Sequence, residues 1–380
     1  MISVSFTVAE SDADFNHLSV NHPKDALESR PLVPPLPTSE YIVPILAIQV
    51  TVFPNNGFCI GATHLHSICD GRGFAHFMRT WATISKLGAS SLLPESLPFL
   101  DKTVIEEHDD EGILKLFLDE LDRFMGSGNR RLRVMDIELQ PNMVRATFKV
   151  NEPSCRRLKD WFLAQYKKDE QITQKQSIPP STLMVICAYT WICLLKAEAK
   201  AGVSKTNNMT RFVFNVDCRV RLDPPIPKTY LGNCVRPCVV IAEKTNLMRG
   251  GVVVAAQLIR DVVHEMMDKG ILRGMEHSVS ELLELESGRI LAAAGSPEFG
   301  YYKTDFGFGK PKKVEMASND RTGAMFLKES SNVNVDGGIE FDLVLDRQEM
   351  NAFISVFVDG FNAMSYEHSL LWPSAPRSLL

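Results

Sequence analysis

His66 and Asp70 stand four apart in the string His64-Leu65-His66-Ser67-Ile68-Cys69-Asp70-Gly71. An imidazole titrates near neutrality, so it can take a proton and give it back. An aspartate at a helix entry caps the free amides of the first turn and can also pair with an arginine. Taken singly, His66 reads as a packed loop histidine. His64, His66 and Asp70 also form a His-x-His plus carboxylate set of the kind that binds zinc, but no third strong ligand accompanies them. Cys69 would need an activating neighbour to act as a nucleophile and reads instead as a buried thiol. Cys234 and Cys238 read as strand-core residues.

The elements around this loop follow from periodicity. Residues 58–63 form an apolar run that ends at the loop, and Phe74, Phe77, Met78 and Trp81 follow at helical spacing. The loop is thus held between a strand end and a helix start. Residues 42–53 form the preceding strand, joined through Pro54-Asn55-Asn56-Gly57 as a hairpin. Ile2, Val4, Phe6 and Val8 alternate with polar residues, which predicts a half-buried strand. Residues 31–37 are a proline-rich connection. Helices are expected over 113–124, 158–166, 182–196, 252–267, 278–290 and 348–357, with Trp161 and Trp191 in helix cores. Strands are expected over 133–150, interrupted at Pro141, and over 212–216, 314–316, 324–327 and 338–345. Gly126 to Asn129 is a break. Mixed strands and helices without regular alternation predict an α+β fold.

The chain has 380 residues, 45% of them hydrophobic and 23% charged, enough for a large core and too apolar for global disorder. At about 150 residues per domain the length predicts two or three domains. A net charge of −5 argues against nonspecific nucleic-acid binding. The longest apolar run, residues 182–195, falls short of the roughly 18–20 residues a bilayer span needs. The N-terminus has no basic region before its apolar residues and does not read as a signal peptide. Eight scattered cysteines without a CxxC pair predict reduced thiols and a cytoplasmic protein. Asn208-Met209-Thr210 would then stay unglycosylated.

Three strings occur in order. The first is His66-x-x-x-Asp70-Gly71. The second is Tyr230-Leu231-Gly232-Asn233-Cys234. The third is Asp305-Phe306-Gly307-Phe308-Gly309-Lys310-Pro311. The set resembles the HxxxDG, YFGNC and DFGWG motifs of plant BAHD acyltransferases, with Phe308 in the tryptophan position of the last. Asp217 to Pro225 and Gly295-Ser296-Pro297 also look like the subgroup that acylates anthocyanins and phenolic glycosides. The resemblance covers about residues 6–357. Asp305-Phe306-Gly307 spells the kinase triplet too, but the other kinase motifs are missing.

The resemblance implies two similar-sized lobes, each a mixed sheet with flanking helices, like chloramphenicol acetyltransferase, with a channel between them. Residues 1–135 would be the first lobe, 136–147 the crossover and 148–380 the second lobe, with about 303–320 packing back on the first. It implies His66 as general base, with no acyl-enzyme and no metal. Asp70 would pair with Arg219 or Arg221 to support the loop, together with Gly71, while Asp305 to Gly309 would be structural. Acyl-CoA would be a co-substrate, not a resident cofactor. The donor would be malonyl-CoA, slightly favoured, or a hydroxycinnamoyl-CoA. The acceptor would be a phenolic, flavonoid or anthocyanin glycoside, and the protein a monomer. Family members carry a further stretch before the strand that opens this sequence. Its lack is expected to leave an open strand edge and apolar surface, and makes a catalytically silent shortened paralogue the alternative. Lys310, Lys312 and Lys313 are expected on a solvated face.

Overall fold

The computed structural model describes residues 4–36, 44–106, 108, 112–125, 142–168, 180–203, 207–275, 289–331 and 337–371. In order, these form β1 (Ser5–Glu10), α1 (Phe15–Ser19), β2 (Lys24–Asp25), β3 (Leu46–Phe53), β4 (Gly57–His64), α2 (Gly71–Leu87), α3 (Thr103–Glu106) and α4 (Ile113–Met125). They continue as β5 (Met143–Val150), α5 (Glu152–Lys168), α6 (Thr182–Lys200), β6 (Met209–Asp217), β7 (Val235–Glu243) and α7 (Lys244–Lys269). The last are β8 (Arg289–Gly295), α8 (Asn319–Thr322), β9 (Met325–Glu329), β10 (Ile339–Asp346) and α9 (Arg347–Leu371).

A three-stranded mixed sheet, β1-β3-β4, carries the loop with His66 at its end. The β3–β4 turn closes with the Asn56 amide on the Phe53 carbonyl at 3.0 Å. Asn55 takes the left-handed conformation there (φ 61°), which asparagine tolerates better than most residues. β1 runs parallel to β3 from Ser5 opposite Ala47 to Glu10 opposite Val52. The alternation predicted this strand but not its surroundings. Phe6 is 58% and Val8 68% exposed, because β1 is the sheet's edge and no described layer covers that face.

The second sheet is mixed and seven-stranded, in the order β2-β5-β10-β9-β8-β6-β7. Its apolar face packs on α5, α6, α7 and α9 in the main core, where Phe162, Trp191, Phe341 and Phe353 are fully buried. α6 is long and apolar enough for a bilayer span by composition, yet most of it is packed inside this core. Its Trp191 indole donates to the Thr210 hydroxyl at 3.0 Å, so the one polar handle of the ring is satisfied. Gly251 (φ 62°) interrupts α7 one residue before the expected helix start.

Some expectations fail. Residue 290 lies in β8, a strand parallel to both β6 and β9, rather than in a helix. Three successive alanines in Arg289–Gly295 carry no β signal, and the pairing partners supply it. Residues 276–288, with the rest of that expected helix, and 126–141 lie outside the described residues. Residues 314–316 belong to no strand. They cross the sheet's opposite face, where alternation puts the polar side chains of β5, β9 and β10. Lys328 and Asp342, both fully buried, meet there at 2.7 Å, and Lys24 of β2 meets Glu315 at 2.8 Å. Arg145 donates to the carbonyls of Met316 and Ala317 at 2.9 and 3.1 Å. Lys313 belongs to this layer and not to a solvated face. It donates to Asn21 at 2.7 Å and to the Thr147 hydroxyl, and burial pulls its ammonium down to about 8.

Candidate active site

Asp70 is the N-cap of α2 and accepts the Gly73 amide at 3.0 Å. The glycines at the helix start permit close packing. A Cβ on Gly71 would stand 3.1 Å from the Phe299 ring, and one on Gly73 would stand 3.0 Å from the Cys69 Cβ. The carboxylate of Asp70 also reaches across to the second sheet. Arg219 Nη2 approaches its Oδ2 at 2.8 Å and its Oδ1 at 3.0 Å, and the Cys234 amide donates to Oδ2 at 3.0 Å. Asp70 is 2% exposed and Arg219 not at all.

Arg219 is held on further sides by the carbonyls of Tyr230 and Gly232, at 3.1 and 3.0 Å, and by Asp217 at 3.1 Å. Burial works against its charge, but Asp70 and Asp217 outweigh that and hold the guanidinium above its ordinary range. Arg221 is not a partner of Asp70. Its guanidinium turns to the Asp217 carbonyl at 2.6 Å. Two residues on along an irregular turn, the side chain leaves in a different direction.

The same clamp fixes the peptide of His66. Asn233 Nδ2 donates to the His66 carbonyl at 3.0 Å, and the Leu65 amide donates to Ile45 at 3.0 Å. The His66 side chain itself is exposed, at the seam where the loop meets residues 230–234. Behind it, the His64 ring lies flat on Phe74 with centroids 4.0 Å apart and planes 9° apart, and 6.0 Å from the His66 ring. Burial, and then the proximity of His66, push His64 down to about 4, against the pull of the Cys69 carbonyl. His64 is therefore neutral at ordinary pH. Asn233→Ala would leave the buried ion pair intact and release only the His66 peptide. We expect a roughly tenfold or greater fall in kcat, the scale for a lost orienting contact, with the melting temperature nearly unchanged; initial rates and a thermal melt check this.

Cys69 is 4% exposed and burial pushes its thiol up to about 11, so it stays protonated and unreactive. Among the described residues no group of three or more metal-ligating side chains could hold an ion. Helix α2 is tied along its length to the connections that follow β6 and β8 of the second sheet. Arg72 pairs with Asp217 at 2.5 Å and with Glu298 at 3.1 Å, Arg79 donates to the Phe299 carbonyl, and Lys86 pairs with Asp305 at 2.6 Å. Asp305 also accepts the amides of Gly307 and Gly309 at 2.8 and 3.0 Å, and both glycines are left-handed (φ 101° and 98°). Lys86 and that amide pair hold the Asp305 carboxyl below its usual range. The rings of Phe306 and Trp81 form a T-shaped pair with centroids 4.7 Å apart, and Phe308, 80% exposed, meets Phe58 at 5.3 Å. This loop lies near the far end of α2, about 20 Å along the axis from Asp70 by helical rise. Its contacts are those of a brace.

Sequence reasoning did not find Arg72 or the hub role of Asp217, which gathers Arg72, Arg219 and Arg221. A single acidic residue opening the 217–225 block was the available signal.

A family model described as the Transferase family matches residues 3–359. Phenolic glucoside malonyltransferase 1 of Nicotiana tabacum is 32% identical over 95% of this chain and 78% of its own length. Coumaroyl-CoA:anthocyanidin 3-O-glucoside-6''-O-coumaroyltransferase 1 of Arabidopsis thaliana is 32% identical over 94% of this chain and 77% of its own. Among solved structures, F. sporotrichioides TRI101 complexed with coenzyme A and T-2 superposes with a TM-score of 0.62 at 14% identity, covering 92% of this chain and 78% of that one. That likeness establishes a shared fold.

Proposed function

The chain belongs to the BAHD transferase family, whose members use acyl-CoA as co-substrate, and from that premise we propose that it moves a malonyl or hydroxycinnamoyl group from its CoA thioester to a hydroxyl of a phenolic, flavonoid or anthocyanin glycoside. One observation carries this reading. An exposed imidazole, His66, stands at the lobe seam on a loop whose rear is locked by a fully buried ion pair.

His66 takes the proton of the acceptor hydroxyl as its oxygen attacks the thioester carbonyl. The tetrahedral intermediate collapses, the C–S bond breaks, and His66 returns the proton to the departing thiolate. The base must face solvent-borne substrates from a fixed backbone, and the Asn233 contact and the Asp70 cap supply that fixity. Asp70 carries out no proton transfer in this scheme, because Arg219 and two backbone amides occupy its oxygens. All these groups come from one chain, in keeping with a monomeric enzyme. We place the enzyme in a reducing cytoplasm, where eight scattered cysteines without a CxxC pair would stay as thiols.

The purified chain, given malonyl-CoA or p-coumaroyl-CoA with a panel of phenolic and anthocyanin glucosides, is expected to form an acylated glucoside and free CoA in equal amounts. Product by liquid chromatography and mass spectrometry, with thiol release, reads the result. Thiol release without acylated product, or neither from any pair, would overturn the reading.

A further inference from the structure

We propose that His17 and His22 together bind a divalent transition-metal ion of the zinc class, with Glu28 orienting His17 from behind. The site shares no residue with the His66 loop and stands or falls independently of the acyltransferase reading.

The three side chains form a relay. His22 Nε2 and His17 Nδ1 face each other at 3.0 Å, and His17 Nε2 meets Glu28 Oε2 at 2.5 Å. Each group is placed by the backbone around it. His17 lies in α1, and its amide donates to Asp14 Oδ1 at 3.1 Å. Pro23 follows His22 and favours an extended backbone there. Glu28 Oε1 accepts the Asp25 amide at 3.2 Å, which leaves Oε2 for the ring.

The two rings do not meet as a straight hydrogen bond would have them. Head on, nitrogens 3.0 Å apart would put the ring centroids roughly 5.3 Å apart. The centroids are 4.7 Å apart, with planes at 52°. The rings are therefore bent towards a common side. For a symmetric bend, the lines from each centroid through its nitrogen converge about 2 Å beyond the nitrogens, which is the length of a Zn–N bond.

A carboxylate on the far nitrogen of a ligating histidine is the usual support of such a bond, because it fixes the tautomer and strengthens the near nitrogen as a donor. Glu28 occupies that position, so it is not itself a ligand. The protein offers two imidazole donors, short of the three side chains of a closed site, and solvent would complete the shell. Imidazole nitrogen suits zinc, copper and nickel rather than magnesium or calcium. The side chains of His17 and Glu28 are 39% and 35% exposed and His22 is exposed, so an ion can arrive from water. The lysines of this region are engaged elsewhere: Lys24 with Glu315, Lys312 with Asn16 and Lys313 with Asn21. A bound ion would staple α1 to the turn before β2.

Calorimetric titration of the intact, chelator-treated chain with zinc chloride tests this without any measurement of turnover. One equivalent is expected to bind at micromolar zinc, and magnesium chloride at the same concentration is expected not to bind. His22→Gln should weaken zinc binding by about tenfold or more, and Glu28→Gln by about tenfold, the scale for losing the group behind a ligating histidine. Zinc should raise the melting temperature of the native chain, because it binds the folded form, and not that of His22→Gln. His17→Gln supplies the same comparison if His22→Gln does not fold. Every cysteine but Cys59 is buried, which keeps thiols from masking the result. No zinc uptake, uptake unchanged in the histidine variants (an adventitious ion only), or magnesium binding as well as zinc would each overturn the assignment.

Discussion

Alanine at His66 is expected to lower kcat by about two to four orders of magnitude, the range for a lost general base. KM for either substrate should change little, because the imidazole acts on the transferring proton and contributes little surface to binding. The fold should not notice. His66 is exposed, its side chain makes no hydrogen bond to a described residue, and the loop is fixed through its backbone carbonyl by Asn233. Stopped-time assays with the preferred donor, alongside a thermal melt, give both readouts. A variant that kept more than a tenth of native kcat would remove His66 from the mechanism. One that unfolded would show that the ring is structural.

Breaking the ion pair behind that loop should have the opposite profile, a large stability effect with activity falling as a consequence. Arg219→Met removes a fully buried guanidinium and strands the Asp70 carboxylate, which is itself 2% exposed. Truncating one partner of a buried pair costs about 3–5 kcal/mol, because the other charge stays behind without its complement. For a chain of this size that corresponds to a fall in Tm of roughly 4–6 °C. Arg219 also satisfies the carbonyls of Tyr230 and Gly232, so the loss extends to the strap that carries Asn233. Asp70→Asn should cost less, since the amide keeps an oxygen for the Gly73 cap. The double variant should be less destabilised than the sum of the singles, which a double-mutant cycle on melts would read. An additive result would mean that the two charges do not sense each other.

How much of this was legible in the residues depends on whether the signal was local. The hairpin at Pro54 to Gly57, the helix after Asp70 and the apolar α6 all carry their instructions within a dozen residues, and all form. β8 does not. Its alanines take up strand geometry only because β6 and β9 flank it. Phe6 and Val8 carry the right alternation for a strand, but alternation says which residues share a face and not whether anything covers it. At the site, His66 and Asp70 stood out by type and spacing, while the ordered resemblance gave them meaning. The choice of Arg219 over Arg221 was invisible, since both lie on the same short turn and only its three-dimensional path decides which one faces Asp70. Lys313 was misread for a related reason. Three lysines within four positions look like a solvated surface until the sheet beneath them is known.

The pairing of Lys24 with Glu315 under the large sheet has a consequence for how this polypeptide is made. β2 is stitched to β5 beside the late strand β10, and its lysine finds its carboxylate only when residue 315 has been translated. At cellular elongation rates of about 5–20 residues per second, Lys24 waits roughly 15–60 s for that partner. During this interval the apolar side chains of β5 and of the other large-sheet strands made before residue 315 are open to encounters with other nascent chains. Expression yield should therefore be governed by chaperone supply and growth temperature more than by the stability of the finished molecule.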